Sequence, residues 1–232
     1  MSKHGKKYLK ATEKVVPGVT LPVEQALSKV KELAYAKFDE AVDVSVNLGI
    51  DASKGEQVVR GSVTLPYRKG AAPRVIVFAK GEFAEQATKA GAVFVGTDDL
   101  VEKINGGWLD FDFAVATPDL MGLVGKLAKL LGPRGLLPNK KMGTVTFDVA
   151  DVIVDLKKGR AFFKNDKSGI VHFSFGKVSF DANQLRENLT VFMKALAASK
   201  PASSKGTFLK KVTLSSTMGV GLAISPDELL HS

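Results

Sequence analysis

Two stretches of this chain cannot sit in the same kind of sheet. From Ala41 to Ile50 the sequence reads AVDVSVNLGI, with Val42, Val44, Val46 and Leu48 on one side and Asp43, Ser45 and Asn47 on the other. A period of two predicts a strand with one buried and one solvated face. From Arg74 to Ala79 the sequence reads RVIVFA, a continuous apolar run. That pattern predicts a strand covered on both faces, as in a parallel sheet between layers of helices. The chain therefore changes architecture between the two. The stretch PYRKGAAPR, dense in Pro, Gly and charge, is where it does so.

After that connector come Gly81, a helical EFAEQATKAG, a short run AVFVG, a helical DDLVEKI, a strand FAVAT and a helix predicted from Asp119 to Leu131. Alternating strands and helices predict a parallel sheet with crossover helices. Residues 68–158 thus read as a small doubly wound, Rossmann-like α/β domain, closed by a second connector, LKKGR. The flanks have a different texture. LPVEQALSKVKELA places Val23, Leu27, Val30 and Ala34 on one helical face, with Pro22 suited to the first helical position. A second strand lies around VVRGSVTL. Beyond the second connector, GRAFFKNDKSGIVHFSFGK predicts two strands around an NDKSG turn. FDANQLRENLTVFMKALAAS predicts a long helix, capped by Asp181 with Gln184 three residues on and striped by Leu185, Leu189, Met193 and Leu196. Lys200-Pro201 stops it, and SSTMG joins the strand-like TFLKKVTLSS and VGLAI. Neither flank is long enough to bury much core alone. Residues 1–67 together with 159–232 are therefore expected to form one discontinuous α+β domain, with 68–158 inserted. The fold class is α/β, an α+β outer domain plus an inserted doubly wound domain.

The formal net charge is +9. Residues 1–67 carry ten Lys and Arg against eight Asp and Glu, and residues 159–232 carry ten against five. A cationic excess concentrated in the outer segments points to an acidic partner there, nucleic acid above all. The absence of cysteine excludes disulfides, thiolate metal sites and cysteine nucleophiles. His4, His172 and His231 have no metal-ligand spacing. The N-terminal MSKHGKKYLK has no apolar h-region, and no run approaches the ~20 apolar residues of a membrane span. These features predict a cytoplasmic protein with no membrane partner.

An enzyme needs a constellation, and the chain offers none. FAKGEFAEQ holds a single glycine where a dinucleotide cradle needs three. GPRGLLPNKKMGT, Gly132 to Thr144, lacks the phosphate-binding-loop pattern. It is open to two readings, an ordered surface loop or a basic finger meeting a phosphate backbone. Asp98-Asp99 stands at a helix start, where carboxylates complement the dipole. Asp110 and Asp112 read as a solvated loop, and His172 has no evident partner for a triad. No cofactor is expected. The rival class is a small-molecule enzyme built on the α/β domain. A ligand-dependent rise in melting temperature would favour it, and salt-dependent RNA binding would oppose it.

Strand ends in the basic segments are more informative. Lys37, Phe38 and Glu40 stand at the mouth of a strand, and Lys167, Ser168 and Gly169 at a hairpin tip. Lys205 precedes another strand, and Ser215, Thr217, Met218 and Gly219 end one. Singly, these are a turn, a solvated lysine or a core phenylalanine. Together they combine small polar groups, glycines and lysines. The shallow minor groove of double-helical RNA, lined with 2′-hydroxyls, is read by that chemistry, and lysines meet its phosphates.

KFDEAVDVSVNLGID, VRGSVTLP, VFAKG, GPRGLLPN, KMGTVT, NDKSGIVHFSFGK and KGTFLKK with LSSTMG resemble the bacterial large-subunit ribosomal protein L1 family, the stalk proteins, over about residues 8 to 222. The resemblance implies two domains, the second inserted in the first. It implies binding to large-subunit ribosomal RNA at the mobile stalk near the tRNA exit site, and help in releasing deacylated tRNA there. It further implies repression of translation of the protein's own operon through an mRNA mimic of the rRNA site. The protein would be ribosome-bound, and a monomer when free. Matching motifs would put the RNA-binding surface on Lys37, Phe38, Glu40, Lys167, Ser168, Gly169, Lys205, Ser215, Thr217, Met218 and Gly219. Thr217 would reach a ribose or base edge, Met218 would pack flat and Gly219 would give clearance. Three positions depart from the pattern: Ala41 where threonine is frequent, Val220 where proline is frequent, and Lys140 in the loop, also at a frequent proline.

Overall fold

Lysines spaced around a single buried residue, Ala11, make the first helix, α1 (Lys6–Glu13), a surface element. The computed structural model that shows it describes residues 5–16, 18–67, 70, 72–226 and 228. Arg68, Lys69 and Ala71 of the first connector lie outside these, as do His4 and His231. Helix α2 (Val23–Leu33) buries Val23, Ala26, Leu27, Val30 and Leu33. Pro22 is its cap rather than its first residue, and Ala34 already has extended dihedrals. The alternating stretch forms β1 (Ala41–Leu48), followed by β2 (Arg60–Thr64).

The apolar run forms β3 (Val75–Phe78), every residue buried. Then come α3 (Glu82–Lys89), β4 (Phe94–Gly96), α4 (Asp98–Asn105) and β5 (Phe113–Ala116). The expected helix over Asp119–Leu131 is broken into a 3-10 turn (Pro118–Leu120), α5 (Met121–Gly125) and α6 (Ala128–Leu131). Gly122 and Gly125 weaken a continuous helix there. The amides of Lys126 and Leu127 instead close three-residue turns onto Leu123 and Val124. Helix α7 (Val149–Lys158) rises where the sequence reading assigned nothing, burying Val149, Val152, Ile153 and Leu156. Gly159, at φ 112°, ends it in the left-handed conformation. LKKGR is therefore not a loose connector but a helix end, a cap and the first residue of the next strand.

That strand is β6 (Arg160–Lys164), followed by β7 (Ile170–Lys177), α8 (Ala182–Ala198), β8 (Leu209–Ser216) and β9 (Leu222–Ile224). Asp181 and Gln184 form the capping box of α8, and Leu185, Leu189, Met193 and Leu196 are buried along it. Strands β6 and β7 do not pair as a simple hairpin. β6 pairs with β2, β7 with β1, and only an isolated bridge, Asn165 to Val171, joins them past the tip.

The chain forms two compact units, Met1–Lys69 with Phe162–Ser232, and Gly70–Ala161. The first holds an antiparallel sheet in the order β7-β1-β8-β9. Helices α2 and α8 pack on it. Phe192 of α8 stacks on Phe173 at 4.2 Å and meets Phe163 edge-on at 5.6 Å. The second unit holds a parallel sheet, β4-β3-β5. Val145, bridged parallel to Ala116, extends it by one position.

Candidate nucleic-acid interface

The side of β1 opposite its four buried apolar residues is open to solvent. Asp43 stands between Ser174 of β7 and Ser215 of β8, Ser45 between His172 and Thr213, and Asn47 between Ile170 and Lys211. All nine are partly or fully exposed. Side chains alternate across a strand, so the registers fix these three rows on one face. The face is nearly all small and polar, and a groove edge can lie close against it.

The candidate residues gather at its two ends, not at one point. β1 spans eight residues, about 23 Å at ~3.3 Å per residue. At its start lie Lys37, Phe38, Glu40 and the SSTMG turn. At its finish lie the NDKSG tip and Lys205.

Glu40 organises the first end. It is buried, 1 % exposed. Its Oε1 accepts the amides of Tyr35 at 3.1 Å and Ala36 at 2.8 Å, and its Oε2 accepts that of Met218 at 3.0 Å. Burial pushes its carboxyl up. The amide of Met218, the adjacent Ser216 hydroxyl and the amides of Ala36 and Tyr35 outweigh that and hold it below the ordinary glutamate value. Ser216 Oγ is buried without a well-aligned partner, so its effect is one of proximity. Tyr35 donates its hydroxyl to the Met218 carbonyl at 2.8 Å. The Met218 peptide is thus gripped at both ends, and its side chain stands half exposed. Phe38 also projects, 55 % exposed. The Thr217 hydroxyl accepts the Ala41 amide at 2.9 Å, and the Thr217 amide donates to the Ala41 carbonyl at 3.0 Å. This lengthens the β1–β8 ladder by one step. Gly219 has an internal reason to be glycine, because any side chain there would run into the Ser216 hydroxyl.

At the second end, Asp166 Oδ1 accepts the amides of Ser168 at 2.9 Å and Ile170 at 2.8 Å. The Ile170 amide is the largest influence lowering its carboxyl. Partial burial opposes this, and Ser168 and His172 add to the lowering. Gly169, at φ 75°, closes the turn and accepts the Leu48 amide, while Lys167 and Ser168 point into solvent. The Ser204 hydroxyl donates to the Gly49 carbonyl at 3.1 Å, and the Gly49 amide to Phe208 at 2.7 Å. These bonds bring exposed Lys205 to the same end.

Three features escaped sequence reasoning. Tyr35 carries no signal in spacing; its role is a tertiary bond. Lys7, Lys10 and Lys14 border a shallow hollow beside Tyr35, and KKYLKATEK could have shown them as a cationic helical face. His172 does have partners, its Nδ1 3.0 Å from Ser45 Oγ and its Nε2 3.8 Å from Asp166 Oδ2. The trio is no hydrolytic triad. The imidazole lies open on the sheet, and Ser45 sits mid-strand with its backbone in the ladder, leaving no amide pair for an oxyanion.

In the middle unit, Asp110 and Asp112 are not merely solvated, since both pair with Arg74 at the start of β3. Thr97 is the cap of α4, with Asp98 and Asp99 in its first turn. The loop after β3 turns on Gly81 alone. Among the described residues no group of three or more His, Asp or Glu is placed to hold a metal ion. No described helix is long and apolar enough to cross a membrane.

The model of the "Ribosomal protein L1p/L10e family" matches residues 30–220. The large ribosomal subunit protein uL1 of Maridesulfovibrio salexigens is 53% identical over 226 residues, spanning 97% of this chain and 96% of that protein.

Proposed function

Because the chain belongs to the ribosomal protein L1 family, we propose that the open sheet face, from the SSTMG turn to the NDKSG tip, is the surface that grips its ribosomal RNA. Members are structural, non-enzymatic constituents of the ribosome that bind rRNA, and this chain is one. The finer reading places it at the mobile stalk of the large subunit, by the tRNA exit site. There it helps deacylated tRNA to leave, and off the ribosome, as a monomer, it represses its own operon by binding an mRNA mimic of the same rRNA site.

The observation that carries this reading is the double grip on Met218. Glu40 and Tyr35 fix the turn before any ligand arrives, so an exposed thioether and Phe38 are presented without an ordering penalty at binding. Between the ends, the hydroxyls of Ser45, Thr213 and Ser215 match the 2′-hydroxyls of a minor groove. Lys37, Lys167, Lys205 and Lys211 supply the phosphate contacts. One face serving both rRNA and mRNA means that the two RNAs compete.

The test is affinity for the rRNA stalk fragment against an unrelated RNA of equal length, at two salt concentrations. A preference that persists at the higher salt supports shape-specific recognition. Equal binding erased by salt reduces the +9 charge to generic attraction and sinks the reading.

A further inference from the structure

Among the described residues, the outer unit exposes five large apolar side chains: Leu9, Val16, Val19, Phe38 and Met218. Phe38 and Met218 stand at the SSTMG end of the open face, and Leu9 lies on α1. Val16 and Val19, 68 % and 49 % exposed, belong to neither place. They sit in the segment between α1 and α2. That segment reaches the outer edge of the sheet, where the Leu21 amide donates to the Ala223 carbonyl at 2.9 Å and Leu21 pairs parallel with Ile224 of β9.

The segment, α2 and the β8–β9 edge border a cavity of about 540 Å³, within the roughly 300–1,000 Å³ of small-molecule sites. Val16 and Val19 line it together with Lys29 of α2 and Lys210 and Lys211 of β8. Among the described residues no carboxylate lines it, and none of the three lysines makes an ion pair. Thr213 also belongs to the lining. A Cβ on Gly221 would lie 2.9 Å from the Thr213 methyl, so glycine keeps that part of the cavity clear. Lys211 and Thr213 are the partners of Asn47 and Ser45 in the rows of the open face. The cavity is therefore continuous with that face.

We propose that this cavity receives one unpaired nucleotide of the RNA lying on the open face, its phosphate met by the lysines and its base laid against Val16 and Val19. The lining selects that chemistry. Three cations with no carboxylate among them call for an anion. An inorganic anion would leave the valines without a partner, and an acyl chain would leave the lysines and the Thr213 hydroxyl without one. A nucleotide brings a charged phosphate, a hydroxyl-bearing ribose and a flat base together. Proteins read RNA sequence chiefly through bases that have left the stack, and the shared wall of Lys211 and Thr213 brings such a base within reach while the helix stays on the face. The RNA recognised is then a helix beside an unpaired position, which adds a second source of specificity to minor-groove shape.

The inference rests on the rRNA reading, and methyl signals separate the two. Full-length chain labelled at its Met and Val methyls is titrated with the rRNA stalk fragment. Met218 reports the open face, and Val16 and Val19 report the cavity; all three should shift. Adenosine 5′-monophosphate alone, with an affinity of about millimolar order, should move Val16 and Val19 but not Met218, and the fragment should displace it. Val16→Ser with Val19→Ser changes two side chains too exposed to carry the core. It should melt at the wild-type temperature and weaken fragment affinity at least about fivefold. Lys29→Gln should lower the log–log salt slope of fragment binding by about 0.7, one single-strand phosphate contact. A shift at Met218 with Val16 and Val19 still, adenosine monophosphate staying bound beside the fragment, or full affinity in the double Ser variant with an unchanged slope in Lys29→Gln overturns the proposal and leaves the rRNA reading standing. A Met218 that the fragment does not move sinks the rRNA reading, and this inference with it.

Discussion

The outer unit's central strand, β1, keeps one face in water, and the middle unit's central strand, β3, keeps none. On β1, Asp43, Ser45 and Asn47 alternate with buried valines, whereas on β3 all four residues are buried. A strand covered on both sides can present no side chain to a partner, so any surface of the middle unit must be built from its helices and connections. A strand covered on one side offers a preformed row of groups about 5 Å apart from strand to strand. Antiparallel pairing makes that open face tolerable, because every ladder amide is already satisfied while the outward side chains remain free to choose their chemistry. The same contrast separates where stability and recognition reside. The strongest test of it comes from a residue that touches no RNA.

Phe192 is fully buried in the outer unit, stacked on Phe173 at 4.2 Å and edge-on to Phe163. Phe192→Ala should cost about 3–5 kcal/mol of that unit's stability. Native-state hydrogen exchange would show lost protection in β1, β7 and β8, with the amides of Val75–Phe78 keeping theirs. Protection lost equally in both units would mean that they unfold as one body.

Next in size is Glu40→Gln. The amide oxygen can still accept from Tyr35 and Ala36, but its NH2 then faces the Met218 amide, donor against donor. One buried donor left unpaired costs about 1–3 kcal/mol, so stalk-fragment affinity should fall by about 5- to 150-fold. Met218 would be displaced in the spectrum of a methyl-labelled sample. Because the folded carboxyl lies below the ordinary 4.5, its contribution is complete above that value. It is lost as pH falls through it toward the lowered folded value. The stability gap between wild type and Gln variant should therefore be flat from neutral pH to about 5 and shrink only below. A gap that closes near neutrality would show that Glu40 is not the charged acceptor described.

Glu40 also marks how far sequence could be read. Its motif drew attention to this corner of the molecule, but KFDE says nothing of burial, or of an acceptor shared among amides 4, 5 and 178 residues away. Periodicity and caps are local, which is why β1, the runs of the middle sheet and the Asp181–Gln184 box were legible. The break in Asp119–Leu131 depended on two glycines whose effect packing could have overridden. Helix α7 was hidden because its valines and isoleucine, weak helix formers, are helical only through the core they fill. The strand β6 leaves β7 for β2 because Phe163 must reach Phe192, with Gly61 of β2 leaving room for its ring. No turn motif encodes that. The separation of the candidate residues into two ends of β1 follows from strand register, which emerges only when three distant segments pair.

Thr217→Val is a smaller perturbation. Valine keeps the shape and loses the acceptor for the Ala41 amide, in a partly exposed place where water can substitute. The loss should be about 0.5–1.5 kcal/mol, at most roughly tenfold in stalk-fragment affinity. Isothermal titration of the folded variant measures it. An unchanged affinity would confine Thr217 to the ladder and leave Met218 and Phe38 as the contacts at that end.

The smallest expected effect comes from the largest change. All three rows of the open face and both of its ends are drawn from residues of the outer unit, 35–47, 166–174 and 205–219. Replacing residues 70–161 by a short bridge therefore removes no proposed rRNA contact, and stalk-fragment affinity should change by no more than about threefold, within ~0.7 kcal/mol. A large loss of fragment affinity, in a shortened chain whose β1–β7 and β1–β8 amides remain protected, would break the comparison. The parallel-sheet unit would then be part of the rRNA grip, and the open face alone would not be the recognition surface.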